Sequence, residues 1–132
     1  MSDDTGIVRL GEEGRLSGAV IHAGTIYLAG QVADDPSLDA EAQTADILRQ
    51  IDALLAEAGS DKRHLLTVQI FLADLADFAA MNRAWDAWLD PRHKPARATV
   101  QARLADPAWR VEITGIAALP ALPFPRPSTG FA

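Results

Sequence analysis

Over residues 96–104 the chain alternates without a break. Ala96, Ala98, Val100, Ala102 and Leu104 are apolar, while Arg97, Thr99, Gln101 and Arg103 are polar. A period of two marks a strand with one packed face. "ADPA" then turns the chain into "WRVEITGIAAL", where Trp109, Val111 and Ile113 alternate with Arg110, Glu112 and Thr114. The two runs are expected to form a hairpin with their polar faces together. Simple pairing across that turn sets Glu112 opposite Gln101 rather than Arg97, which leaves room for a small ligand between the two charges.

Upstream, "HLLTVQIFLAD" predicts a strand in which Leu66, Val68, Ile70 and Leu72 form one face and Thr67, Gln69 and Phe71 the other. "AVIHAGTIYLAGQ" predicts strands over residues 19–23 and 25–30, folded over Gly24. "GIVRL" before it reads as a short edge strand. Between these lie two helical patterns. Ile47, Leu48, Ile51, Leu54, Leu55 and Ala58 recur at three- and four-residue spacing, with Asp39 placed to cap the start and Gly59 to end the helix. The second helix starts near Asp74 or Asp77 and stops at Asp90, because a residue before proline resists the helical region. Its Phe78, Met81, Trp85 and Trp88 form a stripe expected to pack into the core.

The order is therefore strands, helix, strand, helix, strands: an α+β layer with an antiparallel-rich sheet and two helices packed on one face. The opposite sheet face is expected to carry Thr67, Gln69, Phe71, Arg97, Thr99, Gln101, Glu112 and Thr114. Uncharged polar groups mixed with an aromatic suit a subunit interface that relies on fixed hydrogen bonds. Residues 1–119 read as a single domain, and residues 120–132, rich in proline, as an extended, weakly ordered arm.

The 132 residues carry a net charge of −6, and the twelve lysines and arginines are scattered. That balance disfavours nucleic acid, whose binding rests on phosphate attraction. No apolar run reaches the ~20 residues of a membrane helix, and the acidic start is unlike a secretory signal, so a cytoplasmic location is expected. Absence of cysteine removes disulfides, thiolate metal sites and thiol nucleophiles. His22, His64 and His93 fall on separate elements and read as surface or capping residues, so no metal site is expected.

Two charged groups remain on strands where uncharged residues dominate. Arg97 offers a rigid fork that pairs bidentately with a carboxylate. Glu112 can accept a proton from, or orient, a water attacking an electrophilic carbon.

"KPARATVQARL" followed by "VEITGIAAL" resembles the closing signature of the YjgF/RidA family, the reactive-intermediate deaminases also called L-PSP endoribonuclease-like proteins. The resemblance runs back through "FLADLADFAAMNRAW", "AQTADILRQIDALLAEAG" and "VIHAGTIYLAGQV", over roughly residues 15–119. It implies a chorismate-mutase-like α+β fold, a homotrimer with a cleft at each interface, and hydrolysis of 2-imino or 2-enamino acids to 2-keto acids and ammonia without metal or cofactor. By the resemblance, Arg97 holds the substrate carboxylate and Glu112 positions water. Gly30, Thr99, Asn82 and Ala29 fall at substrate-binding positions. Leu16 and Ala29 depart from the tyrosine and serine of the best-characterised branch, removing a phenol and a hydroxyl from the pocket rim. The alternatives are a non-catalytic trimer of the same fold that binds small carboxylates and, third, an endoribonuclease or translation inhibitor.

Overall fold

The computed structural model describes residues 4–120. Six strands, β1 (Val8–Leu10), β2 (Ala19–His22), β3 (Thr25–Leu28), β4 (Leu65–Leu72), β5 (Ala96–Gln101) and β6 (Val111–Ala118), form one sheet in the order β1-β2-β3-β6-β4-β5. All neighbours pair antiparallel except β4 and β5. Two helices, α1 (Ala40–Ala58) and α2 (Phe78–Trp88), pack on each other and cover one face. Short 3-10 turns over Lys62–His64 and Leu75–Asp77 lead into β4 and α2. The architecture is α+β, as the sequence pattern predicts.

The amphipathic stripe of α1 explains the core. Ile47, Leu48, Ile51 and Leu55 are each at most 2% exposed and meet Ile26, Val68, Ile70, Leu72, Val111 and Ile113 from the sheet. Asp39 caps the helix, its Oδ1 accepting from the Ala42 N–H at 2.8 Å, and the Gly59 N–H donates to the Ala56 carbonyl at the other end. Gln43 is fully buried in this first turn but satisfied. Its Nε2 donates to the Pro36 and Leu38 carbonyls and more weakly to that of Ala108, and its Oε1 accepts from the Arg110 N–H at 2.9 Å. One buried amide thus ties the start of α1 to the segment entering β6.

That segment corrects the expected hairpin. β5 and β6 do not pair; β4 lies between them, parallel to β5 and antiparallel to β6. The α2 crossover returns the chain parallel to β4. Residues 102–110 then straddle the end of β4, with Ala102 N–H donating to Leu72 and Ala73 N–H to Arg110. Period-two patterning assigns faces within a strand but carries nothing about its neighbour.

Two face assignments also change. In β4 Leu65 is buried and Leu66 is 52% exposed, because a bulge between Leu65 and Thr67 shifts the register. In β5 the polar side points toward the helices. Arg97 pairs with Val68 and Thr99 with Ile70, both core residues, so Arg97, Thr99 and Gln101 are not on the open face. Ala96, Ala98 and Val100 are there instead, all exposed. The open face then reads Ala96–Thr67–Ile116–Tyr27, Ala98–Gln69–Thr114 and Val100–Phe71–Glu112 in successive rows. Glu112 is its one charged side chain on β3, β6, β4 and β5. The expected proline-rich arm falls almost entirely on residues 121–132, outside the described residues.

Candidate active site

Arg97 lies against α2. Its Nη1 donates to Asn82 Oδ1 at 2.8 Å and sits 4.0 Å from Met81 Sδ. The guanidinium carbon is 5.2 Å from the Trp85 ring centroid and 6.0 Å from that of Phe78. Helical spacing produces this arrangement, since residues 78, 81, 82 and 85 share one face of α2. Such cation–π contacts contribute about 0.5–2 kcal/mol each, depending on how dry they are. Burial pulls the Arg97 pKa down, and the charge of Asp86 partly opposes this.

The partners of Arg97 are all neutral, and among the described arginines without an ion pair it alone is not exposed, since Arg9, Arg15, Arg92 and Arg103 stand in solvent. Arg49, Arg63, Arg83 and Arg110 each face a carboxylate, on Asp46, Asp61, Glu41 and Asp77 respectively. Among the described residues no carboxylate forms an ion pair with Arg97. Two residues along, Thr99 Oγ1 is buried without a hydrogen-bond partner among them. A buried orphan hydroxyl costs about 1–3 kcal/mol, so its presence beside an uncompensated cation needs an explanation.

Glu112 stands on the other face of the sheet, over the backbone of Gly30. The bridge between Gln31 and Ile113 holds the two together, with N–H to carbonyl distances of 2.8 and 3.1 Å. A Cβ on residue 30 would lie 2.0 Å from Glu112 Oε2, so only glycine leaves the carboxylate where it is. Ala29 donates its N–H to the Gly18 carbonyl, continuing the β2–β3 ladder, and accepts from Gln31 Nε2. Leu16, 57% exposed, projects from the small bridge between Glu13 and Leu16 just before that ladder.

The predicted residues therefore fall into two groups. Arg97, Thr99 and Asn82 are brought together on the helix side of the edge strand; Gly30, Ala29 and Glu112 are brought together on the open face. Among the described residues no hydrogen bond or ion pair joins the two groups. Phe78 and Trp85 were missed as site residues because their spacing reads as core. Met81 and Trp85 are indeed buried and Trp88 partly so, but Phe78 is 44% exposed. The polar Asn82 interrupting that apolar face is the signal that could have pointed to a site.

The histidines contribute to neither group. His64 Nδ1 lies 2.9 Å from Asp61 and His93 Nδ1 3.2 Å from Asp90. Asp61 is held down at about 2, chiefly by the Arg63 side chain, then by His64 and the Arg63 N–H, against the effect of burial. Among the described residues no three His, Asp or Glu side chains converge as metal ligands, and no helix is long and apolar enough to cross a membrane.

Comparison with known proteins matches this geometry to a family. Residues 6–119 fit the sequence profile described as endoribonuclease L-PSP. The RutC family protein YoaB of Escherichia coli K12 is 51% identical over 113 residues, covering 86% of this chain and 98% of that protein. A YjgF family member from Neisseria meningitidis, solved by crystallography, superposes with a TM-score of 0.85 at 48% identity, covering 88% of this chain and 97% of that one. An uncharacterized protein from Pseudomonas aeruginosa superposes at 0.82 with 45% identity, covering 85% and 97%. With the profile spanning nearly all the described residues and the fold superposing on solved relatives at 45–48% identity, the chain belongs to the endoribonuclease L-PSP family, whose members also carry the names YjgF and RutC.

Proposed function

We propose that the protein hydrolyses reactive 2-imino and 2-enamino acids to 2-keto acids and ammonia, in clefts between the protomers of a homotrimer. The observation that carries this reading is the Arg97 guanidinium, half-buried and held by an amide oxygen, a thioether and two rings, with its charge left uncancelled. A partly desolvated cation without a counter-ion among the described residues can receive an external anion. The unpartnered Thr99 hydroxyl two residues along lies on the same side of β5.

Arg97 and Glu112 face opposite sides of their own sheet, so one ligand meets both only where two chains join. The open face supports such a joint. It carries exposed alanines, Val100 and Tyr27 with a single charged group on its central strands, and such a surface suits burial better than solvent. In the cleft Arg97 of one protomer pairs with the substrate carboxylate. Glu112 of its neighbour takes a proton from water as the water oxygen adds to the imine carbon, and returns that proton to the nitrogen to give the carbinolamine. The carboxylate then takes the carbinolamine hydroxyl proton and passes it to the amine, so that the C–N bond breaks, ammonia leaves and the carbonyl of the keto acid forms.

The test generates imines in situ with an amino-acid oxidase and follows keto-acid release. Wild type is expected to accelerate hydrolysis, and Arg97→Lys to lower kcat/KM roughly ten- to hundredfold, since lysine cannot form the paired hydrogen bonds. Glu112→Gln is expected to reduce kcat chiefly. Binding of keto acids without acceleration would favour the non-catalytic carboxylate-binding trimer instead. Cleavage of RNA by rigorously purified protein would favour the endoribonuclease reading, against which the net charge of −6 weighs.

A further inference from the structure

We infer that Asn82 is a positioning residue that aims the Arg97 guanidinium without neutralising it, so that a ligand carboxylate docks on the Nε/Nη2 edge. The inference rests on the carboxylate-binding role proposed for Arg97, but not on the hydrolysis step.

A guanidinium has five N–H donors: one on Nε and two on each terminal nitrogen. Here Nη1 donates to Asn82 Oδ1 at 2.8 Å and faces Met81 Sδ at 4.0 Å. The donors on Nε and Nη2 have no partner among the described residues. They share one edge of the fork, and that edge matches the two oxygens of a carboxylate. The rings of Trp85 and Phe78 lie 5.2 and 6.0 Å from its central carbon. These contacts from α2 hold the group by the Nη1 side and leave the Nε/Nη2 edge open.

The chemistry of the holding group matters as much as its place. An aspartate at position 82 could accept the same hydrogen bond, but it would cancel the charge that attracts the ligand. The chain uses that stronger pairing elsewhere. Arg83, the next residue on α2, takes Glu41 at 2.8 Å, and Arg110 takes Asp77. On α2 the nearest carboxylate in sequence to the site is Asp86, which acts on Arg97 only through its field. An amide at 82 orients at no electrostatic cost to the site. The rigidity also explains why Asn82 need not touch the ligand to affect its binding.

A double-mutant cycle tests this, with 2-oxobutanoate as the probe and its binding followed by ligand-detected NMR titration. The four proteins are wild type, Asn82→Ala, Arg97→Lys and the double variant, compared at matched melting temperature and oligomeric state. Asn82→Ala is expected to weaken binding roughly tenfold when Arg97 is present and less than about twofold when it is lysine. Equal losses in both backgrounds would mean that Asn82 contacts the ligand itself, and would overturn the inference. Asn82→Asp, which keeps shape and acceptor, provides an independent arm and is expected to weaken binding at least as much as alanine. Binding by the aspartate variant as tight as wild type would overturn the charge-sparing role. A wild type that binds 2-oxobutanoate with this pattern but accelerates no imine hydrolysis supports the inference while removing the deaminase reading.

Discussion

Glu112 shows how one absent side chain can set a functional group. Its carboxylate occupies the space a Cβ at residue 30 would fill, 2.0 Å from Oε2, 2.9 Å from Cδ and 3.3 Å from Cγ. The atoms in the way are the mobile end of a side chain rather than backbone, so Gly30→Ala should displace the carboxylate at little cost to the fold. Its melting temperature is expected to stay within about 2 °C of wild type, while kcat for imine hydrolysis falls at least tenfold or so, from misplacement of the water-binding group. Unchanged kcat would show that Glu112 has no need of that position. The residues themselves were legible before any coordinates. Arg97 and Glu112 are charges in runs where uncharged residues dominate, although Arg103 and Arg110 stand in the same runs, and the family signature picks out Gly30, Thr99 and Asn82 as candidates. The grouping was not legible. Which face Arg97 takes depends on α2 offering an amide and two rings, and no pattern within β5 encodes that.

The elements follow local rules where a rule is strong. The stripe and caps of α1 are written in the chain from Asp39 to Gly59 and appear as expected. The β2–β3 hairpin likewise turns at its predicted glycine, through Ala23 and Gly24 with φ of 52° and 80°. Two consecutive positive φ values are those of a type I′ turn, which favours Asn-Gly. Alanine is strained there by about 1 kcal/mol, so Ala23→Asn is expected to raise the melting temperature by roughly 4 °C. Differential scanning calorimetry checks it, and an unchanged or lower value would refute the strain. Rules fail where two readings are locally equivalent. Leu65 and Leu66 are the same residue type, and only the bulge against β6 decides which is buried. β5 and β6 alternate equally well, and only the α2 crossover and the Gln43 tether place β4 between them. A small-residue face such as Ala96, Ala98 and Val100 reads as core by pattern, yet it lies open on the edge of the sheet.

At the scale of the whole molecule, each chain carries two half-sites on opposite faces of one sheet. A cation with neutral supports lies at the edge strand, and a carboxylate over a bare backbone lies on the open face. On the proposed mechanism neither half turns over an imino acid alone. A head-to-tail contact that joins one chain's edge to its neighbour's face would complete a site, and repeated around a ring it would close without leaving a half-site unused. The proposed homotrimer is such a ring of three. The most direct measurement co-expresses Arg97→Lys and Glu112→Gln in one cell, with different tags so that mixed oligomers can be isolated, and assays imine hydrolysis. In a mixed ring of three, whichever variant is in the majority, an intact arginine meets an intact glutamate at about a third of the interfaces. Mixed oligomers are therefore predicted to recover roughly a third of wild-type turnover, well above either parent. Mixed oligomers no more active than the parents would mean that the two residues do not act across an interface, and would contradict the account.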